Sequence, residues 1–326
     1  MKKPLNWLIL LAIAVATVLI VKHDGATWYT NQGQVFGTFY KITYQHNRDI
    51  QPLIVARLRD VDNSLSPFNP QSVITRLNSG ESQQTDTLFR TVYRKAREVY
   101  ALSGGAFDIT VAPLVNAWGF GFKDAATVTP ALIDSLRTFV GMQGTRLRGT
   151  LFEKDDPRTL LDCSAIAKGF GSDCVAALFD SLRIRNYMVE IGGEVVVRGI
   201  NSKGHAWRIG VNKPTEDSLV ITNELDTILA LTDCAMATSG NYRNFYYRDG
   251  QRFAHTIDPR TGYPVQHSVL SATVIAPTCM EADALATSIM VLGLDSARAM
   301  LATLPHVSAY LIVGDGPDDT RSVTIP

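Results

Sequence analysis

The sequence predicts an α+β fold of mixed and antiparallel sheets with packed helices, preceded by one N-terminal hydrophobic helix. Three observations carry this. Some segments repeat apolar residues at helical spacing, and others are dense in aromatic and β-branched residues. The two kinds come in mixed runs without βα alternation, which argues against a doubly wound sheet or a barrel. No interior stretch is rich enough in Pro, Gly and Ser to cut the chain, so residues 28–326 read as one domain behind a leading segment, 1–24.

That leading segment begins with Lys2 and Lys3, followed by an apolar run from Leu5 to Val21 broken only by Asn6. Its 17 residues sit at the short edge of the ~17–25 that span a bilayer and exceed the ~7–15 of a signal-peptide core. A retained anchor is favoured over a cleaved signal. The basic flank places the N-terminus inside and the rest of the chain outside. No cysteine lies nearby to carry a lipid.

Next, residues 34–45 (QVFGTFYKITYQ) read as a strand. Ile54, Leu58, Val61 and Leu65 mark a helix ending near Pro67, and Leu88, Val92, Ala96 and Val99 mark another, stopped by Ser103-Gly104-Gly105. Thr129-Pro130 opens a short helix to about Phe139. Ala167, Phe170, Cys174, Leu178 and Leu182 form a further helical stripe. Strands are expected over 187–191, 194–198, 207–211 and 228–232, then 271–276, with helices over 282–292 and 296–304 and a closing strand over 308–313.

Composition excludes several function classes. With 31 basic and 31 acidic residues the chain is neutral, which is not the footprint of a nucleic-acid binder. An apolar content of 46% excludes disorder. The four cysteines, Cys163, Cys174, Cys234 and Cys279, include no C-x-x-C pair, which argues against a zinc cluster and leaves buried free thiols as the default.

Four clusters carry chemistry. Phe107 and Trp118 could flank a planar ring with Asp108 accepting its hydrogen bonds, or form an aromatic core beside a turn. Asp162 to Gly169 runs from a strand end into a helix start, where amides and Lys168 attract phosphate; it is also an ordinary strand–helix turn. Ile191-Gly192-Gly193 and Thr238-Ser239-Gly240-Asn241-Tyr242 read as glycine turns, either close to a ligand or simply hairpins. Finally, His255 to Pro264 packs an imidazole, the Asp258 carboxylate and a turn signal together, and Glu281 opens a helix on which Asp283 and Thr287 share one face. A carboxylate and a hydroxyl are hard ligands suited to Mg²⁺ when phosphates and water complete the shell; Asp283 could instead complement the helix dipole. Together the clusters suit a flat ring with a pyrophosphate and Mg²⁺.

These segments resemble the ApbE family, the FAD:protein FMN transferases. The resemblance runs from about 35 to about 313: V-F-G-T-F-Y from Val35, L-S-P-F-N at 65–69, G-A-F-D-I-T-V-A-P-L-V-N-A-W-G-F-G at 105–121, L-D-C-S-A-I-A-K-G at 161–169, E-I-G-G at 190–193, A-T-S-G-N-Y-R at 237–243, H-T-I-D-P-R-T-G-Y-P at 255–264 and E-A-D-A-L-A-T at 281–287. Each is weak alone; their order and spacing are specific. The resemblance implies FAD in a cleft, Mg²⁺ at its pyrophosphate, and transfer of FMN to a threonine hydroxyl of an acceptor protein with release of AMP. The acceptors it implies are flavoprotein subunits of membrane redox complexes, reached from a periplasmic domain anchored in the inner membrane, or from a secreted one if the segment is cleaved. Carried over by position, FAD contacts fall on Phe36, Phe68, Ala106, Phe107, Asp108, Asp162, Lys168 and Ile257. Metal ligands fall on Asp283, Thr287 and the main-chain carbonyl of Ala165, and His255 matches the histidine that assists transfer. Asp258 either orients His255 or caps the following turn. Three features depart from the family pattern: the missing lipid cysteine, Cys163 where an aliphatic or small residue is expected, and Ala165, which offers only its backbone. A Mg²⁺-dependent FAD pyrophosphatase and a non-catalytic, membrane-anchored flavin-binding protein are the competing functions.

Overall fold

The computed structural model describes residues 26–120, 128–214, 224–241, 245–248, 251–316 and 319–326. The expected anchor over 1–24 lies outside them. Each paired strand is antiparallel to its neighbour, in agreement with the predicted class. The main sheet has eight strands: β1 (Thr27–Val35), β2 (Thr38–His46), β5 (Tyr187–Ile191), β6 (Glu194–Arg198), β9 (Cys234–Gly240), β12 (Val269–Ala276), β13 (Ser308–Gly316) and β14 (Asp319–Ile325), adjacent in that order. Three two-stranded ribbons complete the strands: β3 (Thr145–Arg148) with β4 (Leu151–Lys154), β7 (Trp207–Asn212) with β8 (Leu225–Leu231), and β10 (Phe245–Arg248) with β11 (Gln251–Ala254).

The helices are α1 (Gln51–Leu65), α2 (Val73–Ser79), α3 (Thr87–Leu102), α4 (Ala112–Ala117), α5 (Pro130–Arg137), α6 (Ser164–Ser181) and α7 (Cys279–Leu301). The expected caps and stripes account for several of them. Thr129 accepts from the Leu132 N–H to open α5. Asp86 accepts from the Phe89 N–H at 2.7 Å to open α3, whose Phe89, Val92, Ala96 and Val99 are buried. The two helices expected near the C-terminus are one element broken at Gly293, where a φ of 75° interrupts the helix. α7 is long and apolar enough to cross a bilayer, but 61% of its apolar window is buried inside the protein, so it is a core helix.

Two expectations need correction. Residues 34–45 are not one strand: the chain turns at Phe36 (φ 51°) and Gly37 (φ 71°), joining β1 to β2 through a two-residue loop with both φ values positive, as a type I′ hairpin turn requires. Phe36 tolerates this because its ring packs on α6, where a Cβ on Gly171 would come within 2.6 Å of it. Thr238 to Gly240 are not a turn; they are the end of β9, paired with Ser271 to Thr273 of β12. By contrast Gly192 and Gly193, at φ 64° and 103°, do form the β5–β6 hairpin turn.

The contact that organises the functional region is the crossing of α6 and α7. A Cβ on Gly169 would lie 2.3 Å from the Cys279 carbonyl oxygen and 2.8 Å from the Asp283 Cβ, so only glycine permits this approach. One turn on, Asp173 of α6 accepts from the Cys279 N–H at 2.9 Å and the Met280 N–H at 2.8 Å, capping α7 from its neighbour.

Two outcomes are expected. Gly169→Ala pushes backbone against backbone and should cost about 2–4 kcal/mol in urea unfolding, whereas Gly80→Ala, with open space around its Cβ, lacks that clash and should lose only the cost of its left-handed φ, about 1–2 kcal/mol. Burial pushes the Asp173 carboxyl up to about 6, against the pull of its two hydrogen bonds. The unfolded chain releases that proton near pH ~4, so between these values the folded state holds more protons and this group's contribution to stability falls as pH rises. Asp173→Asn should remove about 1–3 kcal/mol of that fall, read as the difference in unfolding free energy between pH 4 and pH 7.

Candidate functional site

α6, α7 and the start of β6 meet at three ionisable side chains. Lys168, on the first turns of α6, places Nζ 2.5 Å from Glu194 Oε1 and 3.9 Å from Asp283 Oδ1. Glu194 and Asp283 are each 2% exposed, and Lys168 keeps about a third of its side chain in solvent. Burial pushes the Glu194 carboxyl above its usual range, against the pull of the Lys168 ammonium beside it. Burial opposes the Lys168 charge, yet Asp283 and Glu194 together hold its ammonium above the usual lysine range.

Asp283 is not used to complement its own helix. In a regular helix the Gly169 N–H points at the Ala165 carbonyl; that N–H also lies within reach of Asp283 and donates to its Oδ2 at 3.0 Å. The carboxylate therefore lies against the same turn of α6 that carries the Ala165 carbonyl. One turn along α7, Thr287 Oγ1 lies 3.4 Å from Ser239 Oγ of β9.

This donor set fits a hard dication. Two buried carboxylates share one ammonium, which leaves a negative charge uncompensated in a poorly solvated place, and Glu194 Oε2 has no hydrogen-bond partner. Asp283, Thr287 and the Ala165 carbonyl supply only oxygen, as Mg²⁺ prefers. Among the described residues no group of three or more His, Cys, Asp or Glu could cage an ion, so water or substrate phosphate would complete such a shell.

Beside this cluster opens a cleft of about 330 Å³ whose lining includes Phe36, Leu65, Phe68, Ser164, Ala167 and Lys168. Three of the residues expected at FAD thus share one cavity: an aromatic at the β1–β2 turn, another, 76% exposed, between α1 and α2, and the lysine at the α6 start. Asp162 opens α6: its Oδ1 accepts from the Ser164 N–H at 2.8 Å and the Ser164 hydroxyl at 2.5 Å.

The remaining expected residues are not among those lining this cleft. Ala106 and Ile257 are buried, and Phe107, 1% exposed, is part of the main core. The aromatic-core alternative thus describes the Phe107 side chain. The Asp108 carboxylate is held between its own loop and a distant one, accepting from the Thr110 N–H and hydroxyl at 2.7 and 2.6 Å and from the Met142 N–H at 3.3 Å. Burial pushes it up to about 6. Both Asp258 oxygens accept from Arg260, at 2.9 and 2.8 Å, so its carboxylate caps the turn after His255. The His255 imidazole is half-buried, its ring centre 6.3 Å from that of Phe120. Cys163 is a fully buried thiol in the main core, and all four cysteines are free, Cys174 and Cys234 only partly buried.

Hydrogen bonds tie the sequence clusters into one region. The Asp162 N–H donates to the Ile109 carbonyl at 2.7 Å, the Trp118 indole to the Gly262 carbonyl at 2.9 Å, and the Thr256 hydroxyl to Asn241 Oδ1 at 2.5 Å. Glu194 is the residue that sequence reasoning missed. Its only signal was an acidic residue opening a strand with an apolar centre (EVVVR) directly after a Gly-Gly turn.

Known proteins resemble this chain in sequence and fold. The ApbE family profile matches residues 36–311. A curated relative from Vibrio cholerae, named FAD:protein FMN transferase, is 37% identical over 306 residues, covering 90% of each chain. One of the same name from Haemophilus influenzae is 35% identical, covering 96% of this chain and 94% of its own. Among solved structures, the flavin transferase ApbE from Vibrio cholerae superimposes with a TM-score of 0.81 at 36% identity, covering 92% of this chain and 97% of its own. The apo flavinyl transferase ApbE of Pseudomonas stutzeri gives 0.80 at 28% identity, covering 92% and 95%. A matched profile across most of the chain, relatives above 30% identity over nearly full length, and a shared fold lead to one assignment: this chain belongs to the ApbE family.

Proposed function

We propose that this ApbE-family transferase moves the FMN half of FAD to a threonine hydroxyl of an acceptor protein, with Mg²⁺ and release of AMP. The observation that carries the proposal is that a cleft bordered by Phe36 and Phe68 is also lined by Lys168, the cation of the Lys168–Glu194–Asp283 cluster. The names of the relatives supply the substrate: a flat ring for the aromatic walls and a pyrophosphate for Lys168 and the α6 start.

Each residue has a part. Phe36 and Phe68 border the ring, and Ala106, Phe107, Asp108 and Ile257 are the further FAD contacts that the family resemblance implies. Asp162 fixes the α6 start, and Lys168 neutralises phosphate charge. Asp283, Thr287 and the Ala165 carbonyl would hold Mg²⁺, which supplies Lewis-acid polarisation of the pyrophosphate when bound. His255 takes the threonine proton as the oxygen attacks the FMN-side phosphorus and the bond to AMP breaks. Asp258 holds the turn beside it. Residues 1–24 anchor the domain at the outer face of a bacterial inner membrane, where flavoprotein subunits of redox complexes are the acceptors.

Mass spectrometry tests the reaction. Incubation with FAD, Mg²⁺ and a threonine-bearing acceptor domain should add one FMN unit to the acceptor and release AMP. Free FMN and AMP with an unmodified acceptor would make the protein a pyrophosphatase, and intact FAD would make it a binder. His255→Ala should slow single-turnover transfer by ~10²–10⁴-fold with FAD affinity nearly unchanged; a loss confined to affinity would remove the histidine from the chemistry.

A further inference from the structure

We propose that Glu194 is a positioning residue that draws the Lys168 ammonium off Asp283, leaving an Asp283 oxygen open to a divalent cation. The inference rests on the reading of Asp283 as a metal ligand.

The geometry is a competition for one ammonium. Asp283 Oδ2 is already engaged by the Gly169 N–H, so Oδ1 is the oxygen left over. Lys168 Nζ stops 3.9 Å short of it, while lying 2.5 Å from Glu194 Oε1. Charge-assisted hydrogen bonds close at ~2.8 Å, so a shift of about an ångström along the flexible lysine stem would seat the ammonium on Oδ1. A directly paired ammonium and a metal ion cannot share that oxygen well, because both need its lone pairs and repel each other.

Glu194 is built to win the competition. It opens β6 directly after the β5–β6 turn, opposite Ile191, and its carbonyl accepts from the Ser172 hydroxyl of α6 at 3.3 Å. A Cβ on Gly192 would lie 3.3 Å from Glu194 Oε2 and 2.8 Å from the Thr38 methyl, so the glycine leaves room for the carboxylate. The side chain is 2% exposed, and the strand that carries it is paired on both edges. A carboxylate fixed in a sheet therefore steers a cation on a mobile stem. The ionic cluster has a direction: Lys168 belongs to Glu194, and Asp283 is kept for the ion.

The test reads metal binding rather than turnover. Mn²⁺ is titrated into the full-length protein and followed by electron paramagnetic resonance, and Nζ is located in a crystal structure of Glu194→Gln. Expected are an about tenfold weaker Mn²⁺ affinity in Glu194→Gln and Nζ within hydrogen-bond distance of Asp283 Oδ1. In a Lys168→Met background the same substitution should change affinity by about twofold or less, because the carboxylate acts through the lysine. That background also removes the unpaired buried ammonium, so the comparison survives if the single variant folds poorly. An equal loss in both backgrounds, an unchanged affinity in Glu194→Gln, or a loss with Nζ still near 3.9 Å from Asp283 would overturn the proposal. Asp283→Ala separates the two readings. If it leaves Mn²⁺ binding intact, or if the unsubstituted protein binds none, the metal assignment itself fails; if it abolishes binding while Glu194→Gln has no effect, only the role of Glu194 fails.

Discussion

The close crossing of α6 over α7 at Gly169 is the constraint on which the site depends. Because no side chain separates the helices there, a backbone N–H of one helix reaches a carboxylate of the other. That single contact brings the Asp162–Gly169 segment and the Asp283–Thr287 face together, although they are more than a hundred residues apart. The Asp173 cap on the Cys279 and Met280 amides fixes the rotation of α7 at the same crossing. Helix packing of this closeness is a matter of backbone shape.

Around the crossing, charge is arranged against the usual preference of buried groups. The Asp283 charge disfavours the ionised forms of both Glu194 and Asp173, and one lysine serves Glu194 and Asp283. Such a cluster is costly as a folding device, since buried ion pairs rarely repay their desolvation. Its retention is understandable if the surplus negative charge is meant for a cation and the lysine for an anion, side by side, as a metal-bound pyrophosphate would require.

The fold class and most helices were legible because their causes are local. The Thr129 cap, the Leu88–Val99 stripe and the glycine stop after α3 each act within a few residues. The β1–β2 turn was not legible, since Phe36 adopts its positive φ through packing on Gly171, far away in sequence. Gly240 reads as a turn residue yet lies in a strand because Ser271 of β12 supplies its ladder partner. At the site, residue type was enough to single out Lys168, Asp283 and Thr287. The role of Asp258 was undecidable until Arg260 was seen to occupy its carboxylate. Glu194 was hidden because a charge at a strand's first position usually faces water, and only the three-dimensional stacking of α6 on β6 puts it inside.

The two aromatic walls of the cleft differ in their mechanical support. Phe36 stands at the tip of a ribbon continuous with the eight-stranded sheet, its ring wedged on a helix, whereas Phe68 stands in the short link between α1 and α2, with the neighbouring Asn69 amide tied to Asp62 and Asn63 at 3.1 Å. One wall of the cleft is thus an outgrowth of the sheet and the other an outgrowth of a helix pair, so the spacing between the two rings is set by how α1 and α6 are seated against the sheet.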